Sequence, residues 1–275
     1  MKGYKALNMD MSSAYGDMVY EIGKKYTITG ELQMCKNGFH FCKHLEDVEN
    51  CYKIIKSRIF EVKVEDEIIE EYDKSCAKSI MLVRELSKDE IRQYFIDNQK
   101  RILDKNWLCR KALADQGICL DKLVNDEDCD VRAAVAKQNY GWDILTHDED
   151  WRVRTAVAGQ NYGLDILIHD EDGRVRVAVA EQGYGLNILV HDEDWCVRAA
   201  VAEQGYGLDI LIHDKDWYVR GAVARQGYGL DILIHDENGR VRTAVAKQGY
   251  GLDVLVYDEN PWVRNAALNK LEALQ

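Results

Sequence analysis

A single proline, Pro261, stands in the 275 residues, which leaves no room for a Pro-rich linker. No apolar run reaches the roughly 18 residues that a membrane-spanning helix needs. The start, Met1-Lys2-Gly3-Tyr4, lacks the apolar core of a secretory signal. Eight cysteines fall at no tight framework spacing, so a reducing cytoplasm is the expected setting. Basic charge is scarce in one part only. Residues 1–119 hold 20 acidic and 20 basic side chains, whereas residues 120–275 hold 28 and 16, the whole net charge of −12. Phosphate backbones are gripped by clustered Lys and Arg, so the acidic part is a poor cradle for nucleic acid. An anionic membrane would repel it as well.

What the chain has in abundance is repetition. Arg110, Arg132, Arg154, Arg176, Arg198, Arg220, Arg242 and Arg264 stand 22 residues apart, and so do Asp104 through Asp258. Each unit holds a longer piece, as in Val175-Arg176-Val177-Ala178-Val179-Ala180-Glu181-Gln182, with Val175, Ala178, Val179 and Gln182 on one helix face. Asp170 or Asp172 suits the N-cap, and Gly183 and Gly185 suit the stop. The shorter piece, Leu164 to Ile168, has room for about one and a half turns. Neither helix is stable alone at such a length, so each must bury its apolar side against its neighbours. The expected fold is therefore an α+β N-terminal domain (1–97) followed by an all-α solenoid of about eight 22-residue two-helix repeats (98–275). Residues 98–119 form an N-terminal cap unit, 120–251 six regular units and 252–275 a C-terminal cap unit.

Residues 1–97 read as short strands at Tyr4–Leu7, Tyr26–Thr29, Gly38–Cys42, Ile59–Val64 and Ser79–Arg84. An amphipathic helix is expected from Leu45 to Ile55, and a second from Ser87, where Glu90 completes a capping box. If the strand at Gly38 continues to His44, then His40, Cys42 and His44 share a face, and Cys35 could close a tetrahedral zinc site. The spacing matches no common zinc motif, and ordinary packing accounts for the same residues.

Lys2-Gly3-Tyr4-Lys5, then Cys35-Lys36-Asn37-Gly38-Phe39-His40-Phe41-Cys42, then Val83-Arg84-Glu85 resemble an uncharacterised N-terminal domain of phage and bacterial proteins. That resemblance implies no activity, but it suggests a mobile-element protein acting on a bacterial host system. Gly38 to Tyr52 also resembles the ADP-ribosyltransferase rhythm of a Gly-aromatic-x-Phe strand before a helix. The likeness implies an NAD-using enzyme with Lys5 at the dinucleotide-holding position and Glu85 at the catalytic one. Lys in place of Arg loses the bidentate fork for phosphate. The D-x-D-x-x-V-R-x-A-V-A core, from 120 to about 268, resembles the leucine-rich repeat variant and, more distantly, HEAT repeats. It departs from that family at the turn, where Gln-Gly-Tyr-Gly replaces Asn-Pro.

Invariant Arg and Asp suit a charge-assisted ladder within the stack. The repeated His147, His169, His191, His213 and His235 suit turn hydrogen bonds, and Tyr140 through Tyr250 suit stacked turn aromatics. Binding belongs where copies differ. The two positions before Val-Arg, the one after it and the one before Gln fall on one helix stripe. From it, Trp151, Arg152, Arg174, Trp195, Trp217, Tyr218, Arg225 and Arg240 are the candidate anchors for a protein partner, since aromatic and Arg side chains dominate interface hot spots. The same tryptophans would also serve to cover helix ends inside the stack. The expectation is thus a protein-binding adaptor without a cofactor, zinc or NAD being the alternatives.

Overall fold

The computed structural model describes residues 1–274 apart from 14–17, 35, 51, 53 and 73, and the backbone only of 55. Contacts group the chain into two compact units, Met1–Gly141 and Trp142–Gln275.

The first unit is built on an antiparallel sheet of β1 (Lys2–Leu7), β2 (Lys25–Thr27), β3 (Phe39–Phe41), β4 (Arg58–Glu70) and β5 (Ser75–Glu85). The order is β1-β4-β5-β2, and β3 pairs the same edge of β5 further along: Phe39–Phe41 lie against Ser75–Ala77, and Lys25–Thr27 against Ser79–Met81. The sheet curls back on itself. Just past β3, Cys42 exchanges both backbone hydrogen bonds with Tyr4 of β1, at 2.7 and 2.8 Å. This closes β1-β4-β5-β3 into a ring and removes a pair of open edges. Gly3 is required there, because a Cβ on it would meet the Phe41 ring at 2.5 Å. Leu7, Phe39, Phe41, Phe60, Val62, Ile80 and Leu82 fill the core.

The capping box at Ser87 and Glu90 opens helix α1 (Lys88–Leu103), whose Ile91, Phe95 and Ile102 are buried. The helix expected at Leu45–Ile55 is instead two short 3₁₀ segments, Glu46–Asn50 and Ile54–Lys56. The reason is that its acids turn inward. Glu46, fully buried, pairs with Arg101 of α1 and accepts the Tyr94 hydroxyl at 2.9 Å, while Asp47 takes Lys105 at 2.5 Å. Burial pushes the Glu46 carboxyl up, but its own amide, Tyr94 and Arg101 outweigh that and hold it below its ordinary value. Helices α2 (Trp107–Asp115), α3 (Leu120–Leu123) and α4 (Cys129–Ala136) begin the repeats.

The second unit continues them as helix pairs. Long helices such as Trp151–Ala158, Gly173–Glu181, Trp195–Glu203 and Trp217–Arg225 alternate with four-residue ones such as Leu164–Leu167 and Leu186–Leu189. An α+β sheet domain followed by consecutively packed 22-residue helix pairs is the architecture. Asp172 is the N-cap, its carboxylate accepting the Arg174 amide. Gly183 and Gly185 both take left-handed backbone, φ 72° and 61°. In the earlier copy Asn161 fills the first of these positions at φ 62°, the residue that tolerates it best after glycine.

The invariant Arg and Asp form the seam between layers. Arg176 places Nε and Nη2 on both oxygens of Asp192, at 2.7 and 2.8 Å, and Nη1 on the carbonyl of Asp170 in its own unit at 2.8 Å. Arg154, Arg198, Arg220 and Arg242 do the same with Asp170, Asp214, Asp236 and Asp258. Each Asp also accepts the amide two residues on, as Asp192 does from Asp194. One ion pair therefore stitches adjacent layers and fixes the acidic loop in front of the next long helix.

Candidate functional site

The variable positions of the second unit form a ladder of rings and guanidiniums. Arg174 lies 3.6 Å from the centre of the Trp151 ring, and Arg240 lies 4.9 Å from that of Trp217. Trp195 meets Tyr218 edge to face at 5.0 Å. In all three cases the partner stands 23 residues on, in the next unit. Within units, Arg152 pairs with Asp150 at 3.4 Å and Arg174 with Asp172 at 2.6 Å, while Arg225 reaches back to Glu203 at 2.9 Å. The Asp172 carboxyl is drawn down to about 2, chiefly by its bond from Arg174. Trp195 and Tyr218 remain 41% and 38% exposed, so the ladder is ordered and open to solvent at once.

The expected stripe is nevertheless narrower than the sequence pattern implies. The position after Val-Arg is buried at Ala199 and Gly221 and half-buried at Thr155, Val177 and Thr243. A long helix in the array has a neighbour on each side, so its i+3 position falls into a seam. The ladder residues sit at the helix starts, with Arg225 apart near a helix end.

A second repeated surface went unread in the sequence. Ile166, Ile188, Ile210, Ile232 and Val254, the third residues of the short helices, are 47–54% exposed. The Glu171, Glu193, Glu237 and Glu259 side chains, five residues on, are about nine-tenths exposed. His147, His169, His191, His213 and His235 are exposed too, and none of these imidazoles hydrogen-bonds a described residue. The expected turn bonds are therefore absent among the described residues. Nor do the tyrosines stack on one another. Tyr184, Tyr206, Tyr228 and Tyr250 stand 42–43% exposed, and among the described residues only Tyr162 of this series finds a ring, that of Trp142 at 4.9 Å.

In the first unit, β3 ends at Phe41 and the chain bends at 43–45, so the face shared by His40, Cys42 and His44 is not continued. Cys42 is buried, His40 half-buried and His44 exposed, and Cys35 lies outside the described residues. Among the described residues no three His, Cys, Asp or Glu side chains come together to hold a metal ion. Lys5 and Glu85 are not brought together at one site either. Both Glu85 oxygens are taken by Arg58, at 2.9 and 2.6 Å, and Glu85 does not line the cleft that contains Lys5.

That cleft, of about 680 Å³, is bordered by β1, β3 and the side chains of Met18, Tyr20, Asn50 and Tyr52. Lys5 is only 5% exposed in it. Its ammonium donates to the carbonyl of His40 at 2.8 Å and lies 5.2 Å from the centre of the Tyr20 ring. Burial pushes the Lys5 ammonium down to about 8. The His40 imidazole is lowered by its burial and then by Lys5 and Lys74.

No helix among the described residues is long and apolar enough to cross a membrane. Residues 1–93 match a family described as Domain of unknown function (DUF7666). No curated protein matches the chain.

Proposed function

We propose that the protein is an adaptor whose helical repeats capture a protein bearing a basic, partly apolar surface. The observation that carries this reading is the ladder of Trp151 on Arg174, Trp195 on Tyr218 and Trp217 on Arg240. Large side chains already held by a neighbour lose little freedom when a partner arrives, and Trp, Tyr and Arg are the types that carry interface energy. The partner's charge follows from residues 120–275, whose 28 acidic against 16 basic side chains favour a cationic surface and repel nucleic acid. The likeness of the repeats to leucine-rich repeat variant and HEAT arrays supports the same class of function, and a mobile-element protein acting on a bacterial host fits it.

The test compares wild type with a Trp195→Ala, Trp217→Ala double variant as baits in bacterial lysate, at low and moderate salt. A partner that is lost with the double variant, and weakened by salt, is expected, with the unfolding midpoint shifted by only a few degrees. Identical captured proteins with both baits would end the reading.

A further inference from the structure

Lys5 is a cation without a counter-charge among the described residues. It is about nineteen-twentieths buried, yet no carboxylate among the described residues lies within ion-pair distance of it. One carbonyl and one ring face are its partners there, so an ammonium with three donors spends one of them. Burying a charge in this way is costly unless something of opposite sign joins it. The surroundings repeat the message. The described residues lining the cleft include Lys5, Lys36, Lys74 and His40 and no Asp or Glu, in a chain that carries a net charge of −12. Lys74 already has Glu71 at 3.3 Å, outside the lining, whereas Lys5 has no such acid among the described residues. Aromatic surface stands beside it, from Tyr20, Phe39 and Tyr52. The volume of about 680 Å³ falls in the range of small-molecule sites.

We infer that the cleft binds a small organic anion that joins an oxyanion group to a planar ring, directly or through a short linker, with the oxyanion on Lys5 and the ring against Tyr20 and Tyr52. The anion supplies, through a charge-assisted bond from Lys5, the counter-charge that no described residue offers, and the rings supply the apolar contact. The site lies wholly in the first unit and is independent of the array's partner.

The experiment uses the full chain and three probes: adenosine 5′-monophosphate, benzoate and uncharged adenosine, titrated calorimetrically at pH 7. Saturable binding of at least one anionic probe at micromolar to low millimolar concentration is expected, tenfold or more tighter than adenosine. Lys5→Met should weaken it tenfold or more. In unaltered protein the bound anion should also protect Lys5 from acetylation by acetic anhydride, read peptide by peptide, which needs no variant to fold. Equal binding of adenosine, unchanged binding by Lys5→Met, unprotected Lys5, or no binding of either anion at millimolar concentration would overturn the inference.

Discussion

The guanidinium of Arg174 sits 3.6 Å from the centre of the Trp151 ring, reaching across one layer with a step one residue longer than the repeat. The same 23-residue step links Gln226 to the carbonyl of Glu203 and Gln248 to that of Arg225, at 3.1 and 2.8 Å. Because the contact is exposed, its energy is modest. A double-mutant cycle on Trp151→Ala and Arg174→Ala should return a coupling of about 0.5–1 kcal/mol in urea unfolding. A coupling indistinguishable from zero would mean that the stack is not held in solution.

The Arg–Asp seam should behave differently, since its members are mostly shielded. Arg176→Ala leaves Asp192 and the Asp170 carbonyl without their donor. The expected loss is about 3–5 kcal/mol, large against the total stability of a domain. Arg176→Lys should recover little of it, because an ammonium cannot span both oxygens and the carbonyl. Chemical denaturation of the three proteins decides the matter.

The seam also sets the acid limit. The Asp214 carboxyl is pushed up by burial but drawn down further by Arg198, and that of Asp258 is drawn down chiefly by Arg242. Both therefore titrate below the unfolded value of about 3.9. Their stabilisation is present above that pH and is lost as pH falls through the folded values. Thermal midpoints should hold steady from pH 7 to about 5 and drop steeply below about 4. Asp258→Asn should flatten that drop while lowering the midpoint at neutral pH.

Lys5 gives the opposite sign. Its folded value near 8 lies below the unfolded value of about 10.4, so the unfolded chain binds the extra proton between them. The penalty is full below pH 8, and stability rises with pH through that window. Lys5→Met should therefore be the more stable protein at pH 7, by on the order of 2–3 kcal/mol, with the difference shrinking towards pH 10. A constant difference across that range would show that the ammonium is not the cause.

Two glycines of one turn separate backbone strain from crowding. Gly183 has open space where a Cβ would go, whereas at Gly185 it would stand 2.0 Å from Ile168 Cδ1. Gly183→Ala should cost about 1 kcal/mol for its left-handed backbone, and Gly185→Ala clearly more.

Much of this was legible from residue order alone, for identifiable reasons. The long helices follow from Val175, Ala178 and Val179 recurring on one face, and the first N-terminal helix from Ser87 and Glu90 meeting within four residues. What escaped depended on partners far along the chain. Glu46 is drawn into the interior by Tyr94 and Arg101, 48 and 55 residues away, and no local pattern announces it. Lys5 looks like any strand lysine until Cys42 closes on Tyr4 and shuts it in. The exposed Ile166 series escaped because a four-residue apolar run carries too little periodicity to show which of its residues faces solvent. At the ladder, variation between copies pointed to the helix starts but did not disclose the burial of Ala199 and Gly221.

Each arginine grips a carboxylate only in the forward direction, that of the following layer, while its Nη1 holds carbonyls of its own loop; among the described residues Arg264 bonds those carbonyls alone. Every junction within the second unit thus uses the same plug and socket. Removing residues 173–194, one whole copy, would take out Arg176 and Asp192 together, leave Arg154 on Asp170, and set Arg198, still on Asp214, in the place of Arg176. Length here is an adjustable quantity, and a gene encoding such a chain can gain or shed copies by recombination, altering which rings and charges it displays while the scaffold stays folded.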